Sequence, residues 1–110
     1  MEKQTAISAL AALAQETRLD AFRLLVQAGR EGLPAGAVGD ALGLPSATLS
    51  FHLKELKSCG ALDCRREGRS LIYSPDFEAM GELLSFLTAN CCQGSAAGGC
   101  ADGASAGEPS

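Results

Sequence analysis

The sequence predicts a mainly helical α+β fold with the order α-α-α-α-β-β-α. Apolar residues recur at helical spacing in successive stretches. Gly29, Gly43 and Gly60 follow three of those stretches, where a helix stops. Residues 61–74 read as two short strands around a Glu67-Gly68 turn. With 110 residues, 46% hydrophobic and 20% charged, the chain is large enough and apolar enough for one packed domain.

The first helix is expected over residues 5–14, with Thr5 as its cap and Ile7, Leu10 and Leu13 on one face. The second runs from Glu16 to Ala28 on Leu19, Phe22 and Leu25/Val26. A short third helix follows Pro34 through Val38, Ala41 and Leu42. Pro45 and Ser46 open a fourth, which runs to Cys59. Leu49, Leu53 and Leu56 form its buried stripe, leaving Ala47, Phe51, Lys54 and Ser58 on the opposite side with Ser50 and Lys57 beside them. Strands Ala61 to Arg66 and Arg69 to Ser74 make the hairpin. Pro75 and Asp76 start a last helix whose stripe is Phe77, Met80, Leu84, Leu87 and Cys91. This is a helix-turn-helix followed by a two-stranded wing and a closing helix. Residues 1–93 are expected to form this domain. Residues 94–110 are five glycines, five alanines, three serines and little else, and are expected to be a flexible tail.

Composition narrows the function. No apolar run reaches the roughly 18 residues of a membrane span. The N-terminus has no leucine-rich signal core, so a cytoplasmic protein is expected. The net charge is -4, yet all nine bases lie between Lys3 and Arg69, and residues 44–74 hold five bases against three acids. An acidic average thus conceals a mildly basic segment. One histidine leaves no partner set for the common catalytic constellations, so an enzyme is not expected. Five cysteines in such a chain point to reduced thiols, ligands or redox groups rather than a disulfide framework.

The stretch Leu44-Pro-Ser-Ala-Thr-Leu-Ser-Phe-His-Leu-Lys-Glu-Leu, then Gly60-Ala-Leu, Arg65-Arg-Glu-Gly-Arg and Ile72-Tyr, resembles the recognition helix and wing of the ArsR/SmtB metalloregulatory repressors. The run Leu13-Ala-Gln-Glu-Thr-Arg-Leu-Asp-Ala-Phe-Arg-Leu-Leu is similar to that family's opening helix, and the likeness spans about residues 5–90. It implies a winged-helix homodimer that releases double-stranded operator DNA when an inducer binds. The residues agree on physical grounds. A helix fits the major groove, where base edges carry a distinct donor–acceptor code. Ser46, Thr48 and Ser50 are small hydroxyls near the start of that helix. Phe51 offers an apolar contact to a thymine methyl, and His52 lies at the edge of the leucine stripe, placed to hydrogen-bond within the domain or touch a phosphate. Lys54, Lys57, Arg65, Arg66 and Arg69 are expected to neutralise phosphates. The stripes of the first and last helices exceed what a small winged helix needs, so dimerisation is expected through those two helices.

The resemblance also implies an inducer site. The family's Cys-x-Cys site on the third helix has no counterpart in Leu33-Pro-Ala-Gly-Ala-Val-Gly-Asp-Ala-Leu, and its Asp/His zinc site on the last helix lacks the histidines. Cys91, Cys92 and Cys100 remain. Three thiolates without histidine suit a soft trigonal-pyramidal ion such as As(III), Sb(III) or, with two thiols, methylarsenite. The arrangement resembles the family's C-terminal arsenite-responsive branch. The alternative is a repressor whose thiols form a disulfide or persulfide as the signal. Cys59 and Cys64 are expected to pack rather than ligate.

Overall fold

The computed structural model describes residues 1–91. The expected boundary between 93 and 94, the tail, Cys92 and Cys100 lie outside the described residues. The elements are α1 (Lys3–Leu13), α2 (Glu16–Ala28), a 3₁₀ turn (Gly29–Glu31), β1 (Leu33–Pro34), α3 (Ala35–Leu42), α4 (Ser46–Ser58), β2 (Leu62–Glu67), β3 (Ser70–Pro75) and α5 (Phe77–Leu87).

Helices α2, α3 and α4 enclose the main core. Leu25, Leu53, Leu56 and Val38 are fully buried there, with Phe22, Ala21, Leu49, Ala61 and Leu62 around them. The Leu49, Leu53 and Leu56 stripe therefore faces inward as its spacing requires. A smaller cluster joins α1 to α5 through Ala6, Ala9 and Leu83, and Cys59 and Met80 pack against both clusters. The sheet is three-stranded and antiparallel in the order β1-β3-β2.

Four local features differ from the sequence expectation. Helix α1 begins three residues earlier than the cap at Thr5 would place it, with Glu2 at its N-cap position and no side-chain hydrogen bond there. Its inward face is Ala6, Ala9 and Ala12, while Ile7 and Leu10 are exposed. Alanine permits the close approach of α1 to its neighbours, and the larger side chains turn outward. In α5 the inward residue is Leu83, and Leu84 and Leu87 are 60% and 53% exposed. The helix ends at Leu87, so Cys91 lies beyond it and not on its apolar stripe. Asn90 interrupts the segment with a left-handed φ of 62°.

The extra strand β1 pairs Leu33 with Tyr73 and Pro34 with Ile72. It is two residues long and contains a proline, which suits only a sheet edge, so no period-two pattern marks it in the sequence. The hairpin turn falls at Gly68-Arg69, one residue later than expected, because β2 extends to Glu67, which pairs with Ser70. Gly68 takes φ 62° as the first turn residue, a conformation that favours glycine.

Candidate nucleic-acid interface

Helix α4 starts immediately after Pro45, whose fixed φ of -63° leads the chain into the first turn. Its buried leucines anchor it against α2 and α3, so the opposite face must look outward. Ser46, Thr48, Ser50, Phe51, Lys54 and Lys57 are all exposed. Ser50, Lys54 and Lys57 follow one another by four and three residues and form a row beside Phe51. Phe51 is 56% exposed, a large apolar ring with no place in the core. A helix carrying short hydroxyls, one aromatic ring and two lysines on its outer face has the dimensions and chemistry to enter a major groove.

The wing supplies the second half of the surface. Arg66 and Arg69 are exposed at the end of the β2–β3 hairpin. Neither has a hydrogen bond or ion pair with any described residue. Arg65 differs. Its Nε donates to Glu67 Oε2 at 2.7 Å, and its Nη2 donates to the Glu31 carbonyl at 2.8 Å. It straps the wing to the 3₁₀ turn that precedes β1. By charge and position alone Arg65 groups with Arg66 and Arg69. The strap depends on a residue 34 positions away, which no local pattern reveals.

His52 is half-buried and turned inward from the exposed face. Its Nδ1 stands 3.3 Å from Nη1 of Arg18 on α2, and its ring meets Phe51 edge-on at 5.3 Å. Of the two roles expected for it, hydrogen bonding within the domain is the one seen here. Arg18 is the residue that sequence reasoning missed. It also donates from Nε to the Ala12 carbonyl at 2.7 Å.

The cysteines fall in different settings. Cys59 closes α4 and its Sγ lies 3.3 Å from the Leu56 carbonyl. Cys64 faces Tyr73 across the β2–β3 ladder. Burial raises the Tyr73 phenol above its ordinary value of 10.0, and the charge and hydrogen bonding of Cys64 push the same way. Both thiols are half-buried, as expected for packing groups, whereas Cys91 is exposed. Among the described residues no group of three or more His, Cys, Asp or Glu could hold a metal ion. No described helix is long and apolar enough to cross a membrane.

Known proteins share this arrangement. Residues 13–65 match the family model described as a helix-turn-helix domain. An ArsR-like transcriptional regulator from Rhodococcus sp. RHA1 superposes with a TM-score of 0.68 at 25% identity, over 76% of each chain. The homodimeric winged helix-turn-helix DNA-binding domain of Mb0332 from Mycobacterium bovis gives 0.65 at 29% identity, over 77% of this chain and 76% of that one. HlyU from Vibrio cholerae, solved also in a reduced form, gives 0.62 at 33% identity, over 79% of this chain and 97% of that one. A likeness of that extent takes in far more than a bare helix-turn-helix.

Proposed function

The chain is a DNA-binding transcriptional regulator of the helix-turn-helix, ArsR type, and from that premise we propose that it is an arsenic-responsive repressor. It binds double-stranded operator DNA as a homodimer. It releases the operator when trivalent arsenic joins Cys91, Cys92 and Cys100. Antimony(III) shares this chemistry, and methylarsenite needs only two of the thiols.

The observation that carries the reading is the setting of Cys91. It is exposed, it lies four residues past the end of α5, and the outer face of α5 is apolar and uncovered. A thiol that merely ended a core stripe would be buried. Metalation replaces three hydroxides by three sulfurs: As(OH)₃ plus three thiols gives As(SR)₃ plus three waters, the thiol protons leaving on the hydroxides, with no change of oxidation state. Cys92 and Cys100 are eight residues apart, at most about 28 Å of extended chain, so Cys100 can return to the helix end. A site there constrains the helix that also meets the second subunit. Differential binding of about 1–3 kcal/mol to the DNA-free state weakens operator affinity about 5- to 150-fold.

The dimer rests on the exposed Ile7 and Leu10 of α1 and Leu84 and Leu87 of α5, which leave apolar area for a second copy. Two recognition helices one helical turn of DNA apart, about 34 Å, then read the two halves of a palindrome.

The test is arsenite titration of the reduced protein on its operator. Cys91→Ser, Cys92→Ser and Cys100→Ser should each keep operator affinity and lose most of the arsenite response, whereas Cys59→Ser and Cys64→Ser should keep it. A triple variant that dissociates at the wild-type arsenite concentration would falsify the reading. The reduced form of the HlyU relative favours a second reading, in which peroxide-driven disulfide formation is the signal. Release by peroxide but not by arsenite would select it.

A further inference from the structure

Arg18 holds an unusual position for a cation. It is half-buried, and its partners are neutral: the Ala12 carbonyl at 2.7 Å from Nε and His52 Nδ1 at 3.3 Å from Nη1. The one ion pair among the described residues is Arg65–Glu67, so Arg18 meets no carboxylate. Partly desolvating a guanidinium without a counter-charge costs stability, and a packed apolar residue would serve the core better. What the arrangement provides is geometric. Ala12 lies in the last turn of α1, whose outer face we assign to the dimer, and His52 lies at the middle of α4, which carries the proposed DNA-reading face. The planar fork of arginine presents donors in two fixed directions, and here each direction reaches a different helix. The backbone N–H of Arg18 in turn donates to Oε1 of Gln15, the residue capping α2, so the fork is seated on a closed helix start.

The consequence passes one residue further. A guanidinium can only donate, so Nδ1 of His52 must accept, which makes the ring the neutral tautomer with its proton on Nε2. The ring so fixed meets Phe51 edge-on, with centroids 5.3 Å apart and planes at 65°. Phe51 is the exposed ring of the reading face. Arg18, His52 and Phe51 thus form a chain from the end of α1 to the groove-facing surface of α4.

We propose that Arg18 is a positioning residue for DNA reading: its guanidinium joins the α1 carbonyl of Ala12 to Nδ1 of His52 and so sets the orientation of α4 and Phe51. This rests on the DNA-binding reading of α4. His52 acts inward, through Nδ1, rather than as a phosphate contact through Nε2.

The two nitrogens of His52 can be separated by substitution. Asparagine places its amide where Nδ1 stands, and glutamine places its amide where Nε2 stands. The probe is a fluorescein-labelled duplex enriched from a randomised pool by the wild-type protein, with a random-sequence duplex as reference. His52→Asn keeps an acceptor for Arg18 but loses the ring against Phe51, so it should lose affinity for the enriched duplex only about threefold. His52→Gln, His52→Ala and Arg18→Lys, whose single ammonium cannot span both acceptors, should each lose about tenfold. The salt dependence should stay at the wild-type slope, because no phosphate contact is removed. Arg18→Lys/His52→Ala should lose no more than the weaker single variant. Retention by His52→Gln with a larger loss by His52→Asn overturns the proposal, as does wild-type affinity in Arg18→Lys. Failure of the wild-type protein to enrich any duplex overturns the DNA reading and the proposal together.

Discussion

Arg65, Arg66 and Arg69 share one hairpin and one charge but not one setting. Arg66 and Arg69 project from the wing, whereas Arg65 is engaged by Glu67 and the Glu31 carbonyl. Replacing Arg66 or Arg69 with alanine should weaken binding to all DNA sequences and lower the salt slope by about one unit for each phosphate no longer neutralised. Replacing Arg65 should leave the slope unchanged, and titrations of affinity against salt distinguish the two behaviours. Gly32 is a second position where one residue decides. It takes φ 73°, and a Cβ there would collide with the Tyr73 carbonyl oxygen, in the strand β1 must pair with. Gly32→Ala should cost at least about 2 kcal/mol in a denaturant unfolding curve, since neither the backbone angle nor the backbone neighbour can yield cheaply.

At the scale of the element, the β2–β3 hairpin carries a pH dependence. Tyr73 sits on the central strand between Leu33 and Cys64. Burial first, and then Cys64, raise its phenol above 10.0. Below pH 10 the phenol is protonated in the folded and unfolded chains alike. Above it the unfolded chain gives up the proton first, so this residue's contribution falls as pH rises through the folded value. Wild-type protein should therefore lose stability above about pH 10 more steeply than Tyr73→Phe, as thermal melts across that range would reveal. The same hairpin shows which signals a sequence carries. Ile72 and Tyr73 announce strand β3, and Gly68 announces the turn, because each acts locally. Strand β1 has no local signal, and exists because β3 offers it an edge.

For the whole molecule, the apolar balance is the deciding quantity. The main core closes with the leucines of α2 and α4, while α1 and α5 bury little more than alanines and Leu83 between them. Their outer faces remain uncovered, with Ile7 at 48% and Leu84 at 60% exposure. The second copy proposed above would cover such a face without disturbing the core. Ile7→Glu together with Leu84→Glu should yield a folded monomer in sedimentation at micromolar concentration, with operator affinity reduced because one recognition helix reads only one half-site. A dimer that survives both charges would place the interface elsewhere.

The helix-turn-helix, the order of its elements and the outward face of α4 are legible in the residues alone. Leucines at four- and three-residue spacing can be buried in only one way on a helix, and that choice turns Ser50, Phe51, Lys54 and Lys57 outward. The stops at Gly29, Gly43 and Gly60 were equally legible, since they act through the chain's own backbone. Which side of α1 and α5 faces inward is set by packing against the rest of the fold. Both helices carry large and small apolar residues around their circumference, and spacing cannot say whether alanine or leucine meets the neighbour. The tertiary structure also separates Arg65 from Arg66 and Arg69 and joins Arg18 to His52. Those links span 34 positions each and depend on where two helices or a strand and a turn come to rest.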